Sequence, residues 1–305
     1  MSNFAIQTCN LRKVYNGKVV VDDVCMNIPK GAIYGFVGEN GSGKTTIMRL
    51  LMGLAIPKSG TYSIFDVDSK SKDIYKIRKR VSAIVETPTI VASMTAYENL
   101  HYACMYFGIK NYDAKINELL DIVGLHDVEK KKAGNFSLGM RQRLGIALLL
   151  LNDPELILLD EPMNGLDPTG VAELRDIIIS LNKKGITFLI SSHILSELEK
   201  VATCWGFLSH GKLLKEITCE ELANECKKSL EIFYEDINKL ENAIKEIGIK
   251  DYKRYPNSIR IYEDVLPLDM LNALNKKGLI IKNIKTNDTI VEEYYLNLIG
   301  IGGSK

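Results

Sequence analysis

One run of eight residues, Gly38-Glu39-Asn40-Gly41-Ser42-Gly43-Lys44-Thr45, constrains this chain more than any other, because it matches G-x-x-x-x-G-K-[ST] in full. An apolar run, residues 32–37, precedes it, and a helical pattern, residues 46–52, follows. Strand, glycine loop and helix in that order make a backbone nest for a polyphosphate. Glycines at 38, 41 and 43 let the loop close tightly and turn several N–H groups inward. A helix beginning near Lys44 adds its positive end to the same anion site. Residues Gly38, Glu39, Asn40, Gly41, Ser42, Gly43, Lys44, Thr45 and Thr46 are therefore the candidate cradle for a nucleoside triphosphate. Lys44 is expected to reach the β- and γ-phosphates, and the Thr45 hydroxyl to take one position on Mg²⁺. A glycine-rich turn that binds nothing would need neither the Lys-Thr pair nor the flanking elements.

A second half of the site is expected far along the chain. Leu156-Ile157-Leu158-Leu159 runs into Asp160-Glu161 and reads as a buried central strand ending in two carboxylates. Asp160 is the candidate to hold Mg²⁺ through water, and Glu161 to orient or deprotonate the attacking water. Asp-Glu-Pro also suits a helix start, and only the upstream phosphate loop tips the reading toward a metal site. His193, in Ser191-Ser192-His193, closes the next apolar run and is the candidate γ-phosphate contact. The histidines at 101, 126 and 210 have no such setting.

With these motifs in this order, the chain resembles the ATP-binding subunit of an ATP-binding-cassette transporter over residues 4–225. The resemblance implies a P-loop ATPase core of α/β class: a mostly parallel sheet, an antiparallel β subdomain and a helical subdomain. It implies ATP and Mg²⁺ as ligands, a homodimer on ATP binding, and separate integral-membrane subunits. It also implies a cytoplasmic protein, peripheral on the inner face of the membrane. Tyr15 matches the family's adenine-stacking aromatic. Phe136-Ser137-Leu138-Gly139-Met140 stands where the family has Leu-Ser-Gly-Gly-Gln, so Ser137 and Gly139 are the pair implied to contact the partner's γ-phosphate. Asp167, in Asn164-Gly165-Leu166-Asp167, is implied to communicate across the dimer. Glu86 replaces the family's Q-loop glutamine after the strand at 81–85, keeping an oxygen for Mg²⁺ but exchanging an amide donor for a charge. A bland exposed turn at Glu86-Thr87-Pro88 is the competing reading. Phe-Ser-Leu-Gly-Met-Arg-Gln-Arg with Glu-Thr-Pro narrows the resemblance to exporters of the bacitracin-resistance and lantibiotic self-immunity branch.

Length and composition set outer bounds. At 305 residues, one large and one small domain is the natural expectation. A net charge of +1 gives no reason to expect nucleic acid as a partner. No apolar stretch is long enough to span a bilayer, and residues 1–8 lack the basic start and apolar core of a signal peptide. Cysteines at 9, 25, 104, 204, 219 and 226 form no Cys-x-x-Cys, which suggests reduced and mostly buried thiols.

The opening segment predicts strands at 4–8 and 19–26 with a hairpin turn at Asn16-Gly17, then a turn at 57–60 into a strand at 61–65. Residues 88–150 form the expected helical subdomain, with apolar spacing near 3.6 over 96–107 and 113–123. Helices at 171–181 and 195–201 alternate with strands, as in a mostly parallel sheet. The ATP-binding domain is expected to span 1–225 and a small α+β domain 226–305. Strand 230–234, helix 237–247, hairpin 252–262, helix 266–275 and strand 279–284 give a βαββαβ order, which suggests a ferredoxin-like accessory domain. A soluble regulatory ATPase of the same superfamily stays open as an alternative, although the paired cassettes or long heptad insertion of such proteins are missing. An ATP-sensing subunit with little hydrolysis also stays open, with Glu161 and His193 speaking against it.

Overall fold

The apolar runs around the phosphate loop and the two carboxylates become neighbouring strands of one six-stranded sheet. A computed structural model describes residues 3–128, 130–225, 229–263, 265–287 and 291–300, and the chain divides into two units, Met1–Cys219 and Glu220–Lys305. The sheet order in the first unit is Lys212–Thr218, Cys204–Ser209, Ile33–Val37, Thr187–Ser192, Leu156–Asp160, Val81–Ile84. All pairings are parallel except that of the edge strand Lys212–Thr218. Ile33–Val37, Leu156–Asp160 and Thr187–Ser192 are buried along their whole length, as continuous apolar strands must be when both sheet faces are covered. Leu158 is fully buried, so truncating it to alanine costs about 2–5 kcal/mol.

Parallel register decides where the chemistry lies. Val37 pairs with Ser192, Asp160 with Ser191, and Leu159 with Ile84. The phosphate loop, Asp160-Glu161, Ser191–His193 and Glu86 therefore all leave the sheet at its carboxyl edge, where ligands of open α/β sheets bind.

The antiparallel subdomain contains Phe4–Tyr15, Lys18–Val24, Asn27–Pro29, Ser59–Ile64 and Val67–Asp68. Tyr15 pairs with Lys18 across Asn16 and Gly17, both at positive φ (47° and 81°), which is a two-residue type I′ hairpin. Ser59-Gly60, expected in a turn, instead opens a strand. A Cβ on Gly60 would lie 2.2 Å from the Asn10 carbonyl oxygen, so glycine here serves close strand approach at a register shift.

The helical region contains Ala96–Phe107, Tyr112–Ile122 and Leu138–Leu150. Thr95 and Glu98 form a capping box that starts the first of these, and Gly108 at φ 70° ends it. Among the described residues, no helix is long and apolar enough to cross a membrane.

The second unit runs Ser229–Phe233, Ile237–Ile247, Tyr252–Arg254, Ser258–Ile261, Pro267–Lys276 and Asn283–Asn287, followed by Val291–Leu298. Its strands are all antiparallel, in the order 252–254, 258–261, 229–233, 283–287. Leu230, Ile232, Leu240, Ile244, Ile259 and Leu274 centre its core. The last strand starts at Asn283, not at 279 as the apolar run suggested. Gly278 takes φ 77° and the Leu279 amide donates to the Leu274 carbonyl, so Leu279 is the buried residue that closes a helix C-cap.

The expectation of buried thiols holds for Cys104 and Cys204, whereas Cys9 and Cys25 are exposed and Cys219 is half-buried. These five are free, and Cys226 lies outside the described residues.

Candidate nucleotide site

The phosphate loop joins the buried strand Ile33–Val37 to the helix Lys44–Leu51. Two of its glycines answer specific crowding. A Cβ on Gly38 would lie 2.5 Å from the Leu208 carbonyl and 2.6 Å from Ser42 Oγ. One on Gly43, at φ 111°, would lie 2.8 Å from the Val20 carbonyl. At Gly38 and Gly43 the loop is thus pressed against two neighbouring strands with no room for a side chain, whereas Gly41 is open and takes φ 80°. Lys44 is buried, and its Nζ donates to the Gly38 carbonyl at 2.6 Å and the Glu39 carbonyl at 3.2 Å. Ser42 Oγ is buried with no hydrogen-bond partner among the described residues, and the helix start has no side-chain cap. A buried ammonium, an unpartnered hydroxyl and free helix N–H groups form a donor set that fits a polyphosphate.

The carboxylate side is built on the two adjacent strand ends. Asp160 is buried; its Oδ2 accepts from Thr45 Oγ1 at 2.6 Å and its Oδ1 from Ser191 Oγ at 2.5 Å. Ser191 Oγ in turn accepts from the Glu161 amide at 2.9 Å. The strand ends at Asp160, and the next helix starts only at Pro168 behind an Asp167 cap, so Asp160-Glu161 is not a helix start. Glu161 sits at φ 50°, a left-handed conformation that costs a non-glycine residue roughly 1–3 kcal/mol and is held by its surroundings. Its Oε1 lies 3.5 Å from Lys44 Nζ. Its Oε2 lies 2.7 Å from His193 Nδ1 and accepts from the His193 amide at 3.3 Å. A carboxylate can only accept, so the imidazole donates through Nδ1–H and Nε2 remains for another group. Thr45 and Asp160 supply oxygens of the kind Mg²⁺ takes, a hydroxyl and a carboxylate.

Lys44, Thr45, Asp160, Glu161 and His193 are therefore tied into one bonded cluster. The other sequence-predicted residues lie outside it. Glu39, Asn40 and Gly41 form the exposed crown of the loop, and Thr46 continues its helix. Tyr15 is 41% exposed at the hairpin, with Lys13 Nζ 4.7 Å from its ring centre. Glu86, at φ 76°, is bonded to Arg49. Ser137 caps the helix Leu138–Leu150, accepting from the Met140 amide at 3.2 Å. Gly139 is buried on that helix, where a Cβ would lie 3.7 Å from Gly170 Cα. Two participants escaped the sequence reading. Ser191 was legible as a hydroxyl closing an apolar strand, and Arg49 as the residue one helical turn beyond Thr45.

The ABC transporter family model matches residues 21–164. The bacitracin transport ATP-binding protein of Bacillus licheniformis is 43% identical over 301 residues, covering 97% of this chain and 98% of its own length. The lantibiotic transport ATP-binding protein of Streptococcus pyogenes is 44% identical over 207 residues, 68% of this chain and 88% of its own. Among solved structures, an ATP-binding subunit of an ABC transporter superposes with a TM-score of 0.63 at 28% identity, covering 72% of this chain and 92% of that one.

Proposed function

The chain belongs to the ATP-binding subunits of ABC transporters, and on that premise we propose that two copies clasp ATP between them to drive peptide-antibiotic export through separate membrane subunits. ATP binding and hydrolysis come with the family. The observation that carries the reading is the bonded cluster of Lys44, Thr45, Asp160, Glu161 and His193 at one sheet edge.

Lys44 and the loop amides bind the β- and γ-phosphates, with Ser42 Oγ as a further donor. Tyr15 stacks on adenine. Thr45, Asp160 and Glu86 are the residues that would hold Mg²⁺, which would supply neutralisation of phosphate charge. Glu161 orients the attacking water and takes its proton, and His193 fixes the Glu161 carboxylate through Nδ1. Ser137 and Gly139 of the partner copy complete the donors for the γ-phosphate. Charge grows on that group in the transition state, and preorganised donors are the main source of rate.

The membrane contact is assigned to the helical region, residues 88–150. A groove of about 480 Å³ opens there beside Glu86, lined by Pro88, Tyr102, Tyr106, Phe107 and Leu148. Tyr106 is 80% exposed, an aromatic surface suited to an apolar helix from another polypeptide. This assignment makes the subunit cytoplasmic and peripheral on the inner membrane face. Bacitracin or a lantibiotic is the proposed cargo, since relatives over nearly the whole chain or most of it are named for them. The C-terminal unit is read as a ferredoxin-like accessory domain with a structural role.

ATPase rate measured against protein concentration tests the clasp. Specific activity should fall on dilution; a rate independent of concentration far below micromolar would refute the two-copy site. Loss of bacitracin and lantibiotic tolerance on deletion tests the cargo.

A further inference from the structure

Thr45 and Arg49 are four residues apart on the helix Lys44–Leu51, so they share one face, with Cβ atoms about 5–6 Å apart. Thr45 Oγ1 is committed to Asp160 at 2.6 Å. One turn further on, Arg49 Nη2 donates to Glu86 Oε1. Glu86 follows the strand Val81–Ile84 at φ 76°, a backbone state that a non-glycine residue holds only against a cost. Both side chains are largely in water, 43% and 63% exposed, so the pair contributes little to stability. Its consequence is positional instead.

A glutamine here would bring no charge for a guanidinium to capture, whereas glutamate brings a carboxylate that a guanidinium and a divalent cation both bind strongly. Oε2 keeps its own lone pairs, so the competition is for the carboxylate's charge and position rather than for one atom. We infer that Arg49 is a positioning residue that competes with the metal for Glu86, holding this carboxylate one helical turn from the Thr45–Asp160 site until ATP-bound Mg²⁺ draws it away. The inference rests on the proposed metal role of Glu86.

Mn²⁺ binding in the presence of a non-hydrolysable ATP analogue, followed by electron paramagnetic resonance, tests it without turnover. Wild type, Arg49→Met, Glu86→Gln and the double variant form one cycle. Arg49→Met should tighten Mn²⁺ by about 5-fold or more while residue 86 is glutamate, and leave it unchanged in the Glu86→Gln background. Equal effects of Arg49→Met in both backgrounds, or none in either while wild type binds Mn²⁺, would overturn the competition. Absence of any Mn²⁺–analogue binding to wild type would overturn the functional reading itself. Thermal melts of all four proteins should coincide within a few degrees, which separates competition from a folding defect.

Discussion

Beside the phosphate loop, the clustered side chains hold one another: Thr45 is held by Asp160, Asp160 by Ser191, and Glu161 by His193 and Lys44. The helix that begins at Leu138 is built differently. Ser137 bonds back to its own helix through Met140, Leu138 is 46% exposed, and Gly139 is backed by Gly170 and Leu166. The first region is a preorganised polar network whose carboxylates are all paired, with Ser42 Oγ left as an unpartnered donor. The second is a helix start with small residues, open to something brought to it. On the proposed two-copy reading, the first region is the acid–base half of the site and the second its donor half.

Breaking the finished half should have the largest effects. Lys44→Ala removes the buried cation and should weaken ATP binding by about 100-fold or more in equilibrium titrations. Retention of near-native affinity would remove Lys44 from the phosphate site. Glu161→Gln keeps an oxygen for the His193 bond but loses the base. Turnover should drop by roughly 10²–10⁴-fold while ATP-bound dimers accumulate in size-exclusion chromatography. A monomer with full ATP occupancy would contradict the shared site.

Changes in the open half should spare binding and slow turnover. Gly139→Ala is a clean probe, since the new Cβ meets only ordinary contacts at 3.7 and 3.9 Å. ATP affinity of the separate protomer should stay unchanged while turnover falls about 10–100-fold. A matching loss of binding would place Gly139 on the nucleotide's own protomer.

The smallest effect tests the scaffold under the first half. Tyr34, on the strand feeding the phosphate loop, donates to Glu216 Oε1 at 2.8 Å, and the Asn27 amide donates to the same oxygen at 2.8 Å. Burial pushes the Glu216 carboxyl above its ordinary range, with the bonds from Asn27 and Tyr34 pulling it partly back. Its charged form is therefore less favoured folded than unfolded. The associated stability is present below the ordinary carboxylate range and is lost as pH rises through the raised value. Glu216→Gln keeps an acceptor and removes that loss. The Tm of the variant relative to wild type should be more favourable at pH 7 than at pH 4, and a pH-independent difference would refute the assignment.

Much of this site was readable as chemistry before any coordinates. Gly38 to Thr45, Asp160, Glu161 and His193 announce themselves through residue type and through the apolar runs before them. Misreadings arose where local pattern met a tertiary demand. Leu279 is apolar because it plugs a helix cap, although its neighbours look like a strand. Ser59-Gly60 has the composition of a turn, yet Gly60 admits the Asn10 backbone inside a sheet. Cys9 is exposed on an outer position of the strand Phe4–Tyr15, and Cys25 in the connection between Lys18–Val24 and Asn27–Pro29, placements that composition does not reveal.

By itself the order of residues determined which groups could handle a triphosphate, because phosphate recognition depends on local backbone freedom and a few side-chain types. Only the folded sheet decided which of them meet. Parallel register sets Asp160 beside Ser191 and brings Glu161 against His193, across gaps of about 30 residues that no local pattern encodes. It also left Glu86 with Arg49, a pairing invisible in sequence because it depends on where a strand end passes a helix.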